Sequence, residues 1–84
     1  MSRYDITPRD PRYTVVVGWD GPMRTYFAHV KDPSLDEEEE MVLWVGGLFD
    51  EVKTVTELAK AIARYADLSF DMVATLLVDR LKGE

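Results

Sequence analysis

His29 is the single imidazole in this chain of 84 residues, which has no cysteine. Imidazole titrates nearest to neutral pH, so His29 is the first side chain to test for general acid-base work. The hydroxyls that could stand in for an activated serine are Ser2, Ser34 and Ser69. They fall in segments read below as an arm, a loop and a helix cap, so no set of nucleophile, base and orienting group is expected. A histidine on a strand surface is far more often structural than catalytic, and the chain is read as non-enzymatic.

The densest chemistry is acidic. Asp32, Asp36, Glu37, Glu38, Glu39 and Glu40 follow one another with no basic residue between them, and Asp50 and Glu51 come soon after. Paired carboxylates perform catalysis only when held at a fixed separation in unequal environments, which a solvated loop does not supply. Asp32-Pro33-Ser34-Leu35-Asp36 lacks the alternating acids, the glycine and the bidentate glutamate of a calcium loop. Gly46-Gly47 leads into Leu48-Phe49-Asp50-Glu51, which places carboxylates where a phosphate loop needs Lys and Ser or Thr. Without cysteine there are no disulfides and no thiolate-ligated metal. No cofactor and no metal are expected.

Aromatic residues Tyr13, Trp19, Tyr26, Phe27 and Trp44 could form a stacking platform for bases, but such platforms sit in basic grooves. From Asp32 to Glu84 there are thirteen acids against five bases, and the whole chain carries a formal charge of -6. Direct nucleic-acid binding and attraction to anionic lipid are therefore disfavoured, and the aromatics are assigned mainly to the core. The natural charged partner is a basic protein surface.

The elements that must position these residues are legible from residue type. Hydrophobic residues make up 46% of the chain, enough for one small domain and too few residues for two. Residues 1–12 hold Pro8 and Pro11 among charged side chains and read as a poorly ordered arm, with a single domain over 13–84. Tyr13 to Trp19 is rich in β-branched and aromatic residues and predicts a strand, and Asp20-Gly21-Pro22-Met23 a turn. A second strand, Arg24 to Lys31, returns antiparallel. Centring the turn between Gly21 and Pro22 sets Trp19 opposite Arg24, Val17 opposite Tyr26 and Val15 opposite Ala28. Trp19 and Tyr26 then face the helices, while Phe27 and His29 take the more exposed side.

The acidic run resists helix because like charges repel at helical spacing, so it is a loop. Met41 to Val45 reads as a third strand ended by Gly46-Gly47. Thr54-Val55-Thr56-Glu57 matches a capping box, predicting a helix from Val55 to about Ala66. Ser69 caps a second helix, Asp71 suits its first turn and Gly83 ends it. The second helix carries Phe70, Met72, Val73, Leu76, Leu77, Val78 and Leu81, a stripe too broad for a simple surface helix. It packs centrally, with Leu77 enclosed, or contributes an interface. The expected fold is α+β in two layers, a three-stranded antiparallel sheet covered by a C-terminal αα-hairpin in the order β-β-β-α-α.

Met1-Ser2-Arg3-Tyr4-Asp5 is not a secretory start, and the longest apolar run, Met41 to Phe49, is far shorter than the ~20 residues that span a bilayer. A cytoplasmic monomer is expected, with the second helix as the surface for any dimer.

From Tyr13 to Gly83 this compact acidic domain, free of cysteine and cofactor motifs, resembles in size, charge and element order the small anti-CRISPR proteins of phages and mobile elements. The resemblance is architectural and carries over no single residue. It implies a non-enzymatic inhibitor whose acidic surface occupies a basic nucleic-acid-binding surface, with Asp32, Asp36, Glu37, Glu38, Glu39, Glu40, Asp50 and Glu51 as the expected partner contacts. The alternative is an accessory or assembly protein that docks through exposed apolar sheet or helix surface.

Overall fold

The computed structural model describes residues 1–83. It contains β1 (Tyr4–Ile6), β2 (Thr14–Asp20), β3 (Thr25–Lys31), β4 (Met41–Val45), α1 (Val55–Ile62) and α2 (Phe70–Lys82). The strands form one antiparallel sheet in the order β1-β2-β3-β4, backed on one face by the two helices. The α+β architecture is as expected, with four strands in place of three. The extra strand comes from the segment read as a loose arm. Tyr4 pairs with Val17 and Ile6 with Val15, and the Ser2 amide donates to the Trp19 carbonyl at 2.9 Å. Pro8 and Pro11 fall in the connection that follows β1, where neither removes a ladder bond. Arg9 fastens this connection to the helical layer, its amide donating to the Tyr65 carbonyl at 2.7 Å and its Nε to the Ala63 carbonyl at 2.7 Å.

The β2–β3 pairing sets Trp19 opposite Tyr26, Val17 opposite Ala28 and Val15 opposite Val30. This differs by two residues from a turn centred on Gly21 and Pro22. The hairpin instead closes through the longer loop Gly21 to Arg24, with the Arg24 amide bonded to the Gly21 carbonyl at 3.1 Å and the Asp20 carboxylate accepting from the Met23 amide at 3.2 Å. A shift of two leaves every side chain on its expected face, because sheet faces alternate with period two.

One face carries Val15, Val17, Trp19, Tyr26, Ala28 and Val30, and it packs on Val55, Leu58 and Ile62 of α1, Ala66, and Leu76 of α2. On the opposite face Phe27 is buried, and His29 is half-buried. Two glycines make room for Phe27, Gly46 at its backbone and Gly18 at its ring. A Cβ at Gly18 would lie 2.6 Å from it, and at Gly46, which has φ +85°, a Cβ would lie 2.2 Å from the Tyr26 carbonyl oxygen and 2.7 Å from Phe27 Cβ.

Both helix starts follow the sequence. Thr54 Oγ1 accepts from the Glu57 amide at 3.1 Å, and Glu57 reaches back to the Lys53 amide at 3.1 Å. Ser69 Oγ accepts from the Met72 amide at 3.1 Å, and Gly83 closes α2 at φ +74°. α1 ends at Ile62, a turn earlier than expected, and continues as turns to Tyr65. The rotation of α2 departs from the expectation for Leu77. Leu76 is 0% exposed and Leu77 is 47% exposed, so Leu77 is not enclosed. Asp79 is buried on the same inner side of α2 as Leu76, and its carboxylate accepts from the Tyr4 hydroxyl of β1 at 2.5 Å. A buried carboxylate demands such a partner, and Leu76 and Asp79, three residues apart on one side of the helix, together leave Leu77 outward.

Leu76→Ala should cost about 2 to 5 kcal/mol, since it leaves a cavity between sheet and helices, whereas Leu77→Ala should cost under about 1 kcal/mol. Urea unfolding of the two variants checks this, and equal losses would contradict the rotation of α2.

Candidate functional site

The acidic run caps the β3–β4 connection. Asp32 donates its amide to the Glu40 carbonyl at 2.7 Å, closing the loop, and the Glu39 amide donates to the Asp36 carbonyl at 2.8 Å within it. The Asp32 carboxylate accepts from the Ser34 hydroxyl at 2.6 Å and the Ser34 amide at 3.0 Å, and lies 3.5 Å from Arg12 Nε. Only 3% of Asp32 is exposed. The Ser34 side-chain bond is the main force holding its carboxyl below the usual carboxylate range. Burial opposes this, while the Ser34 amide and Arg12 add to it. Asp32 therefore shapes the loop and is not available to a partner. Asp36, Glu37, Glu38 and Glu39 are exposed and form no ion pair among the described residues, and Glu40 is half-buried.

Asp50 and Glu51 lie at the other end of the sheet. The Asp50 amide donates to the Met23 carbonyl in the β2–β3 loop at 2.8 Å. β4 separates this end from the acidic loop, and five extended residues span roughly 16 Å. The Glu51 carboxylate accepts from the Gly46 amide at 2.9 Å and the Leu48 amide at 3.1 Å, which fixes the exit from β4. Asp50 is 3.6 Å from Lys53 Nζ. The eight carboxylates read as one partner surface are thus divided. Asp32 and Glu51 satisfy backbone amides, Asp50 is paired, Glu40 is half-buried, and Asp36 with Glu37, Glu38 and Glu39 are exposed and unpaired among the described residues.

His29 lies on the open sheet face between Phe27 and Trp44, with ring centroids 5.4 and 5.7 Å away. Burial, chiefly, and the nearby Arg3 and Lys31 charges push its pKa down, favouring the neutral ring. No serine hydroxyl or carboxylate hydrogen-bonds to it among the described residues. No group of three or more His, Asp or Glu side chains gathers with metal-binding geometry among those residues.

The sequence reading left the outer side of α2 undecided, and the structure leaves it in water. Phe70 is 89% exposed and Leu81 87%, and Leu77 and Val78 are about half exposed. With exposed Ala74, the positions 70, 74, 77 and 81 repeat at intervals of four, three and four. That spacing places them along one line of the helix, like the seam of a coiled coil. A second apolar group, Trp44 with Leu48 and Phe49, lies exposed at and beyond β4. Trp44 is accordingly a surface aromatic, contrary to its assignment to the core. Alternation puts it opposite His29 on the face that no helix covers.

No family model, curated protein or solved structure matches the chain. No helix among the described residues is long and apolar enough to cross a membrane.

Asp32→Asn should lower stability at neutral pH, where the wild-type carboxylate is ionised and bonded to Ser34. A group whose folded pKa is depressed contributes above its unfolded pKa and loses that contribution as pH falls through the folded pKa. The gap between wild type and Asp32→Asn should therefore shrink below the ordinary carboxylate range. Urea unfolding across pH measures it, and a gap independent of pH would contradict the role given to Asp32.

Proposed function

We propose that the chain is a non-enzymatic protein-binding module that docks the outer stripe of α2 into an apolar groove on a partner whose rim is basic. The observation that carries this reading is the row Phe70, Ala74, Leu77 and Leu81, left exposed on a helix whose opposite side is packed. A solvent-facing helix ordinarily carries polar residues there, and exposed contiguous apolar surface marks interaction sites. Thirteen helical residues extend about 20 Å, and a single stripe of that length falls short of the roughly 800 Å² per partner of a standard interface. A groove that also encloses the flanks at Val73 and Val78 supplies more area than a flat twin of the same helix. Two copies of a chain with formal charge -6 also repel each other, which favours a basic partner over self-association.

The inhibitor reading, an acidic anti-CRISPR-like decoy on a basic nucleic-acid-binding surface, is supported by the unpaired and exposed Asp36, Glu37, Glu38 and Glu39. In the combined account these acids accelerate encounter and the α2 stripe holds the complex, since exposed charge acts more on association than on affinity.

A photo-crosslinker at position 77 recovers the partner from cells, and binding is then measured with both purified proteins. Leu77→Asp should weaken binding at least tenfold. Replacing Glu37, Glu38, Glu39 and Glu40 by Gln should slow association at low salt and change dissociation little. Full binding by Leu77→Asp, with loss in the Gln variant, would place the dock on the acidic loop. A homodimer dissociated by Leu77→Asp would replace the basic partner with a second copy.

A further inference from the structure

The β2–β3 loop and the C-terminal end of α2 enclose a polar cleft of about 280 Å³, lined by Trp19, Gly21, Arg24, Asp50, Arg80 and Gly83. It is distinct from the outer stripe of α2 and serves no purpose in the docking described above. Two arginines, Arg24 and Arg80, line it in a chain whose formal charge is -6. Arg24 forms no side-chain hydrogen bond or ion pair among the described residues. Arg80 lies over the Trp19 and Tyr26 rings, 5.4 and 5.8 Å from their centroids, and donates to the Lys53 carbonyl. A guanidinium has five N–H donors in a planar fork, so most of those on the two arginines remain for a ligand.

Backbone strain collects at the same place. Arg24 at φ +52° and Asp50 at φ +57° are the only non-glycine residues with positive φ among those described, and both line the cleft. Glycine would occupy the Arg24 position without the steric penalty of a Cβ. An arginine held there against local preference is the kind of outlier that clusters at ligand sites. Beneath Arg80, Trp19 Nε1 and Tyr26 Oη are the only buried side-chain polar atoms without a hydrogen-bond partner among the described residues. Buried polar groups are nearly always satisfied, so this pair beneath Arg80, of which Trp19 lines the cleft, calls for a reason.

Among the described residues the negative groups facing the cleft are few. Asp50 is offset by Lys53 at 3.6 Å, and the carbonyl end of α2 carries a partial negative charge that Arg80 adjoins. Arg24 and Arg80 exceed what these require.

We propose that this cleft binds an oxyanion group, a phosphate or a carboxylate, held jointly by the Arg24 and Arg80 guanidinium forks. Planar forks suit either group through paired N–H donors. At about 280 Å³ the cleft is larger than a bare ion fills, so it admits a group carried on a larger molecule or side chain.

The test titrates the full-length ¹⁵N-labelled chain with inorganic phosphate, with acetate, and with chloride at matched ionic strength. The Trp19 indole, Arg24 and Arg80 Nε–H and Gly21 amide signals are followed. Saturable shifts confined to these groups are expected with phosphate or acetate and not with chloride, and the probe that saturates first identifies the oxyanion. Arg24→Gly should weaken binding at least tenfold while raising Tm, because it removes both the fork and the strain. Arg24→Lys, which keeps the charge, should bind several-fold more weakly than wild type. Equal shifts with chloride, an absence of saturable shifts, or undiminished binding by Arg24→Gly would each overturn the proposal.

Discussion

The β2–β3 ladder is the constraint on which the rest of the molecule depends. Its seven pairs place Val15, Val17 and Trp19 with Tyr26, Ala28 and Val30 on a single face, which is thereby committed to burial. Burying a large apolar side chain contributes about 1.5 to 3 kcal/mol, so this face alone dictates where both helices must lie. Among the described residues no further element covers the other face. Phe27 packs there because Gly18 leaves room for its ring and Gly46 for its backbone, and His29 and Trp44 share what remains open. The outer side of α2 is exposed likewise, since no element among the described residues packs on it.

Small polar contacts tune this arrangement more than the charge count suggests. Tyr4 and Asp79 join the buried Leu76 in holding the inner side of α2, so an edge strand of three residues contributes to the surface a helix presents. Asp32 and Glu51 play equivalent parts at opposite ends of β4, each satisfying amides that a loop would otherwise leave unpaired. A carboxylate engaged in this way is part of the scaffold, and an acidic composition overstates the charge available to a partner.

Much of the architecture was legible in the residues, because caps and sheet faces depend on local chemistry. Thr54 with Glu57, Ser69 and Gly83 announced the helix ends, and alternation announced which hairpin residues share a face. β1 was hidden because Tyr4-Asp5-Ile6 is too short to show a period and is followed closely by prolines. The hairpin register slipped by two because Arg24 adopts a left-handed conformation that its residue type does not advertise. The α2 rotation was ambiguous because apolar residues surround that helix, and only the partner of Asp79 resolves it. In sequence Asp32 and Glu51 look no different from Glu37, and only folding brings Ser34 and the Gly46 amide to them. The Arg24 and Arg80 cleft left no sequence signal, since 55 residues separate its two cations and only the hairpin loop and the end of α2 unite them.

The central claim is that α2 holds Leu76 and Asp79 inward and leaves Leu77 exposed as the proposed docking surface. The chain has no cysteine, so single-cysteine variants report on one position at a time. The direct measurement is the thiol-labelling rate of Leu76→Cys and Leu77→Cys, in the free chain and in the purified complex with the crosslinked partner. The account predicts rapid labelling of Leu77→Cys in the free chain, strong slowing in the complex, and slow labelling of Leu76→Cys in both. Rapid labelling of Leu76→Cys, or a Leu77→Cys rate unchanged by the partner, would contradict it.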